Sequence, residues 1–160
     1  MIRRCRDGDF AAIERIINAA ALAYRGVIPA DRWHEPYMSA DILLGEIRAG
    51  VEFWGWEDAN ELVGVMGIQD VRDATLIRHA YVLPGTQRRG IGSALMKALL
   101  PKAKGRVMVG TWAAADWAIR FYERHGFRLV SAAEKNRLLD TYWKIPVRQR
   151  DTSVVLLHES

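Results

Sequence analysis

The chain has 160 residues, 50% of them apolar and 26% charged, which suits one compact domain and excludes both a disordered segment and two ordinary domains. Its 23 Lys and Arg against 19 Asp and Glu leave a net charge of +4, too small and too scattered to imply nucleic acid and better matched to attracting a small anionic ligand. Cys5 is the lone cysteine, so no internal disulfide and no thiolate-built metal site can form; no run nears the roughly 20 apolar residues of a membrane span, and no apolar stretch follows Arg3-Arg4, so a cytoplasmic protein is expected.

In chain order, Ile2 to Cys5 reads as a short edge strand, and Asp9 as the cap of a helix with Phe10, Ile13, Ile16, Ile17, Ala20 and Tyr24 at helical spacing, ended by Gly26. Val27 to Met38, with Pro29, Trp33, His34, Pro36 and Tyr37, reads as an irregular loop carrying aromatic side chains. Ser39 caps a second helix whose apolar positions are Ile42, Leu43 and Ile47, closed by Gly50. Val51 to Trp56, Glu61 to Gln69 and Thr75 to Leu83 are three strands joined by tight turns, hence antiparallel neighbours. A helix over 90 to 103, a strand over 107 to 111, a helix over 114 to 125 and a strand from Phe127 to Val130 follow. Glu134 to Trp143 is helical until Pro146 stops the run, and Thr152 to Leu157 is the last strand. Antiparallel strands first, then alternating helix and strand, give an α/β (α+β) fold: a mixed, mostly antiparallel sheet of six or seven strands with helices on its faces.

The most informative segment is Gln87-Arg88-Arg89-Gly90-Ile91-Gly92-Ser93, lying between a strand and the amphipathic run from Ala94 to Leu100. Main-chain amides in the first turn of a helix have no partner within it and carry the positive end of its dipole, so an anion is stabilised there twice. Glycine lets the backbone approach oxygen atoms, and Arg88 and Arg89 add charge. A magnesium nucleotide P-loop would need Lys before Ser or Thr, and a dinucleotide fingerprint would need a small residue where Leu95 stands.

What remains, Gln/Arg-x-x-Gly-x-Gly/Ala after a strand, resembles the acyl-coenzyme A signature of the GNAT superfamily of N-acyltransferases. A second segment, Ala118-Ile119-Arg120-Phe121-Tyr122-Glu123-Arg124-His125-Gly126-Phe127, is similar to the superfamily's later Ala-x-x-Phe-Tyr-x-x-x-Gly-Phe pattern, in the same order and at the same spacing. The resemblance covers nearly the whole chain. It implies an acetyl-coenzyme A dependent N-acetyltransferase that works by direct attack on an amine of a small molecule or protein, without a metal. Residues 134 to 150 are an addition to the minimal pattern, of open role, and a homodimer across them or across a strand edge is a further option.

Such chemistry needs a neutral amine, a polarised carbonyl and a proton for the departing thiolate. Presenting a lysine-like amine uncharged at neutrality costs roughly 4 to 5 kcal/mol unless a base or desolvation assists. The resemblance puts the proton donor at Tyr122, an acid expected to contribute on the order of a hundredfold. It puts carbonyl polarisation at the main-chain amide of Tyr81 or Val82, pantetheine pairing at Val82 and Leu83, and the diphosphate on Gln87, Arg88, Arg89, Gly90, Ile91, Gly92 and Ser93. His79 is the candidate base, on the strand face opposite Ala80 and Val82. Glu52, Glu57 and Asp70 are alternatives acting through water, with His34 and Glu35 in the loop. Where members often carry Asn, this chain has Ala115, which removes one side-chain bond to the cofactor. Six aromatic residues, Trp33, Tyr37, Trp54, Trp56, Trp112 and Trp117, divide between packing and an acceptor pocket, and no acidic run marks a polycationic acceptor. A coenzyme A binding sensor without catalysis is the alternative function.

Overall fold

The computed structural model describes residues 1–86 and 89–159. Its described strands form one seven-stranded sheet: β1 (Ile2–Arg4), β2 (Glu52–Asp58), β3 (Glu61–Val71), β4 (Ala74–Val82), β5 (Arg106–Trp112), β6 (Phe127–Leu129) and β7 (Ser153–His158), in the order β1-β2-β3-β4-β5-β7-β6. Every pairing is antiparallel except β4 with β5. The β2–β3 hairpin closes on Ala59 and Asn60, both at positive φ, the pair of conformations that a two-residue turn matched to strand twist requires.

Helices α1 (Phe10–Ala21), α2 (Ala40–Arg48), α3 (Ile91–Leu99), α4 (Asp116–Arg124), α5 (Ala132–Tyr142) and α6 (Val147–Asp151) follow the expected order, with α6 in addition. On one face, Ile13, Ile16, Ile17 and Leu43 of α1 and α2 pack on Phe53, Leu62 and Val65. On the other, Ile91, Leu95, Met96 and Leu99 of α3 and Tyr122 of α4 pack on Val63, Met66, Ile77 and Val109. Leu138 and Leu139 of α5 cover Leu76, Met108 and Val155. None of the described helices is long and apolar enough to cross a membrane.

Three local expectations change. Asp9 does not cap α1: its carboxylate is taken by the Arg3 guanidinium, at 2.8 and 2.9 Å, and by the Arg6 amide at 2.7 Å. A nearby cation outcompetes weaker helix amides for the same oxygens. On α2 only Leu43 of the three apolar positions is buried, Ile42 being 56% exposed. The C-terminal helix starts at Ala132, two residues early, because the Ser131 hydroxyl accepts from the Glu134 amide at 3.2 Å.

One irregularity decides where the site lies. β4 and β5 pair in parallel from Ala74↔Arg106 to Ile77↔Val109 and no further, although β4 continues to Val82 and β5 to Trp112. Beyond Ile77 the strands part, and the gap opens through the sheet between its two helical layers. The divergence starts at a bulge in the β3–β4 ladder, whose register jumps between Val65↔Tyr81 and Gly67↔Arg78 so that His79 and Ala80 face Met66 together.

Candidate active site

Two cavities meet in this gap. The larger, about 500 Å³, runs along Ala80 to Val82 past Gly90, Gly92 and Ser93 and is roofed by Trp117, Phe121 and Tyr122 of α4. The smaller, about 130 Å³, lies on the side of α1 and α5 and is walled by Tyr37, Arg78, His79, Trp112, Trp143 and Gln149. Tyr24, Ala80, Tyr81 and Tyr122 line both.

The larger cavity is shaped by main chain. Gly90 stands before the first turn of α3 at φ +75°, a left-handed conformation that a side chain would strain, with open space where a Cβ would be. A Cβ on Gly92 would lie 3.3 Å from the Phe121 ring, so a side chain there would press that ring back by a few tenths of an ångström. Ile91, fully buried, anchors the turn from below. The amides of Ile91, Gly92 and Ser93 thus open a helix whose first turn offers them no acceptor. Not every expected group is available: the Arg89 guanidinium is turned to Asp58 at 2.7 Å, and Gln87 and Arg88 lie outside the described residues. The Ser93 hydroxyl is 2.9 Å from His125 Nε2.

On β4, the Leu83 amide donates to Val63 at 2.8 Å, and its carbonyl accepts from the Thr86 amide at 3.1 Å and hydroxyl at 2.7 Å. Leu83 is therefore spent on the chain's own bonds. Alternation along an antiparallel ladder turns the Tyr81 amide the same way, toward β3, and puts the main chain of Ala80 and Val82 on the edge facing the gap. Of the two amides expected to polarise the carbonyl, that of Tyr81 is directed into the ladder with β3.

The smaller cavity is built from side chains. The bulge places His79 at φ +54°, where a non-glycine residue is uncommon and strained by about 1 to 3 kcal/mol. Its effect is to reset the alternation: Ile77, Ala80 and Val82 pack with α3 and α4, while Arg78, His79 and Tyr81 all turn to the opposite face. His79 is thus on the face expected for it. Its ring lies between those of Phe53 (centroids 6.0 Å apart) and Tyr81 (6.5 Å), both nearly parallel to it, and its Nε2 is hydrogen-bonded to Glu46 of α2. The other Glu46 oxygen accepts from Arg78 Nη2 at 3.1 Å, and Arg78 Nη1 donates to Gln69 at 2.8 Å. Burial pushes the Glu46 carboxyl up, but the His79 hydrogen bond and the nearby Arg78 guanidinium outweigh it, leaving the group below the usual carboxylate value.

Four tyrosines complete the junction. Tyr24 meets Tyr37 at 5.4 Å and Tyr81 at 6.3 Å between ring centroids, and Tyr37 accepts a hydrogen bond from Trp112 Nε1 at 2.8 Å. Burial pushes all their hydroxyls up, Tyr37 to about 12 and Tyr122 well above its ordinary value. Tyr122 is 7% exposed, held by Phe121 and Phe127, and its hydroxyl makes no hydrogen bond among the described residues. At neutral pH it is a protonated donor aimed at no protein acceptor.

The remaining candidates fall elsewhere. Glu52 is paired with Arg4 and Trp54, and Glu57 with Arg3, at the β1 edge; Asp70 accepts from Thr75 at 2.8 Å at the far end of β4. None lines either cavity. His34 and Glu35 are exposed, Glu35 being paired with Arg25. Ala115 is fully buried among Ala21, Tyr24, Ile28 and Trp112. Of the tryptophans singled out from the sequence, Trp112 and Trp117 line the cavities, while Trp54 lies under Lys102. The added segment has a place as well: Trp143, Ile145 and Gln149, between α5 and α6, wall the smaller cavity. Glu46 was missed by sequence reading, because it sits 33 residues from its partner on a helix whose spacing gives no sign of a polar contact.

The model of the acetyltransferase (GNAT) family matches residues 13–127. Peptidyl-lysine N-acetyltransferase YiaC of Escherichia coli (strain K12) is 28% identical over 133 residues, 83% of this chain and 86% of that protein. Among solved structures, PaiA N-acetyltransferase from Thermoplasma acidophilum in complex with coenzyme A superposes with a TM-score of 0.73 over 100% of this chain and 98% of that one, at 16% identity. The ribosomal-protein-S18-alanine N-acetyltransferase from Escherichia coli does so with a TM-score of 0.68 over 99% and 92%, at 18% identity. At such identities the likeness to the structures is one of fold.

Proposed function

The chain belongs to the acetyltransferase (GNAT) family and is an acetyl-coenzyme A dependent N-acetyltransferase; from that premise we propose how residues 1–160, as one catalytic domain, carry out the transfer. The diphosphate rests on the amides of Ile91, Gly92 and Ser93, and pantetheine follows the β4 edge at Ala80 and Val82 into the gap. The acceptor amine enters the smaller cavity from the α1 and α5 side. The thioester carbonyl then lies at the junction, where Tyr122 faces both reactants.

His79 takes a proton from the acceptor's ammonium group, the neutral nitrogen attacks the thioester carbon, the C–S bond breaks, and Tyr122 gives its proton to the departing sulfur. Products are the N-acetylated acceptor and free thiol; the excess proton on the acceptor nitrogen restores the phenol, and the proton on His79 returns to solvent. A tyrosine whose own ionisation is suppressed stays a donor throughout the neutral range, and a hydrogen bond to a developing thiolate strengthens in a dry site. His79 answers the need for an uncharged amine. Aromatic walls suit an ammonium arriving on an apolar stem.

The small aromatic chamber, with Arg78 as a charged wall residue and no carboxylate lining it, favours a single primary amine on an unbranched stem over a polyamine. A lysine side chain of a peptide meets that description, and the relative YiaC is a peptidyl-lysine acetyltransferase. The observation that carries the reading is that Tyr122 lines both cavities. The test is thiol release from acetyl-coenzyme A across lysine peptides, N-terminal amines, polyamines and simple alkylamines. Turnover is expected with lysine peptides or alkylamines and little with polyamines. Coenzyme A binding without thiol release on any amine would instead support a sensor.

A further inference from the structure

We propose that Glu46 is a positioning residue for the reaction: it holds the His79 imidazole with hydrogen on Nε2, leaving Nδ1 bare as the atom that receives the acceptor's proton. The inference rests on the reading of His79 as the base.

Three observations carry it. First, a carboxylate can only accept, so the Nε2 that meets Glu46 must bear the hydrogen of the neutral ring, and Nδ1 becomes the basic atom. Nδ1 makes no hydrogen bond among the described residues, and His79 is one of the residues lining the smaller cavity. Second, the ring is clamped from three directions, by Phe53 and Tyr81 on its faces and by Glu46 on its edge, on a backbone in the left-handed region. A histidine that merely filled space would gain nothing from that conformation, because ordinary alternation would bury it beside Ile77. Third, Glu46 is itself held: Arg78 binds its second oxygen, Gln69 binds Arg78, and the Gln69 amide donates to the Ala49 carbonyl at 3.2 Å, just past the end of α2. The chain of bonds ties α2, β3 and β4 together and keeps Glu46 ionised beside the ring. Histidines oriented through one nitrogen by a carboxylate work as bases through the other.

The experiment is steady-state acetylation of a lysine peptide by wild type, Glu46→Gln, His79→Ala and the double variant, repeated with trifluoroethylamine, an acceptor already neutral at pH 7. Glu46→Gln is expected to lower kcat roughly 10- to 100-fold with the KM for acetyl-coenzyme A unchanged, to add less than about threefold in the His79→Ala background, and to matter little with the fluorinated amine. Wild-type kcat in Glu46→Gln, or an undiminished loss in the His79→Ala background, overturns the positioning role while leaving His79 as base. Full activity of His79→Ala removes the base itself, and the positioning role with it. Imidazole nitrogen shifts of the wild-type protein give an answer independent of any variant's folding. Hydrogen on Nε2 is expected, and hydrogen on Nδ1 of the neutral ring contradicts the proposal.

Discussion

The two cavities are made of different materials. The side proposed to receive the acyl carrier is floored by main chain: the edge of β4, a left-handed Gly90 and the opening turn of α3, all within positions 80 to 93 of the sequence. The side proposed to receive the amine is lined by residues gathered from Tyr24 after α1, the loop before α2, β4, β5, α5 and the 143 to 149 segment. A backbone cradle recognises what all acyl carriers share and tolerates substitution wherever glycine is not required. A chamber of side chains can be rebuilt one residue at a time, so acceptor choice can change while the cofactor stays the same.

That contrast can be broken in a definite order. Tyr122→Phe removes a hydroxyl at the junction of both sides that makes no hydrogen bond among the described residues, and kcat should fall on the order of a hundredfold with the KM for acetyl-coenzyme A nearly constant, as read by thiol release. Unchanged turnover at saturation would remove the acid role. Next comes Gly92→Val, which drives a branched side chain against Phe121. Calorimetry should show coenzyme A binding weakened roughly tenfold or more, with turnover at saturating cofactor much less affected. Equal losses in both would place Gly92 in the chemistry and not in the cradle.

Ala115→Asn tests whether the missing side-chain bond can simply be restored. Because Ala115 is fully buried against Tyr24 and Trp112, the amide should destabilise the fold by about 1 to 3 kcal/mol and tighten cofactor binding not at all. Melting curves and calorimetry on one preparation decide it, and tighter binding would contradict the packing argument.

The smallest effect concerns acid stability far from either cavity. The Arg3 guanidinium holds the Asp9 carboxyl at about 2, below the ordinary 3.8. A depressed folded-state value stabilises above the unfolded value and is lost as pH falls through the folded one, so the contribution should fade between about pH 4 and pH 2. For a pair this near the surface it is worth about 0.2 to 1 kcal/mol. Asp9→Asn should melt slightly below wild type at pH 7 and level with it near pH 2; a gap that persists at low pH assigns the loss to something other than charge.

What sequence could disclose follows the same division. The glycine turn that opens α3 and the place of Tyr122 on α4 were legible because each motif is local: strand, glycine turn and helix in one case, one helix in the other. The mixed, mostly antiparallel sheet also came through, and the antiparallel neighbours β2, β3 and β4 with it, since tight hairpin turns mark such connections; the place of β7 between β5 and β6 was not read. Glu46 was not legible, because its contact to His79 joins elements 33 residues apart and depends on a bulge that no residue pattern announces. Pro146 was read only as a stop, whereas it also precedes the first turn of α6, a position where a missing amide hydrogen costs nothing. Asp9 misled because helix-cap chemistry and ion-pair chemistry use the same oxygens, and only the fold brings Arg3 near enough to decide between them.

A crystal structure with coenzyme A bound puts the central claim to its most direct test. The account predicts the diphosphate on the amides of residues 91 to 93, pantetheine threading the parted strands, and the thiol within direct or single-water reach of the Tyr122 hydroxyl. A thiol held elsewhere, with the β4–β5 gap empty, would contradict it.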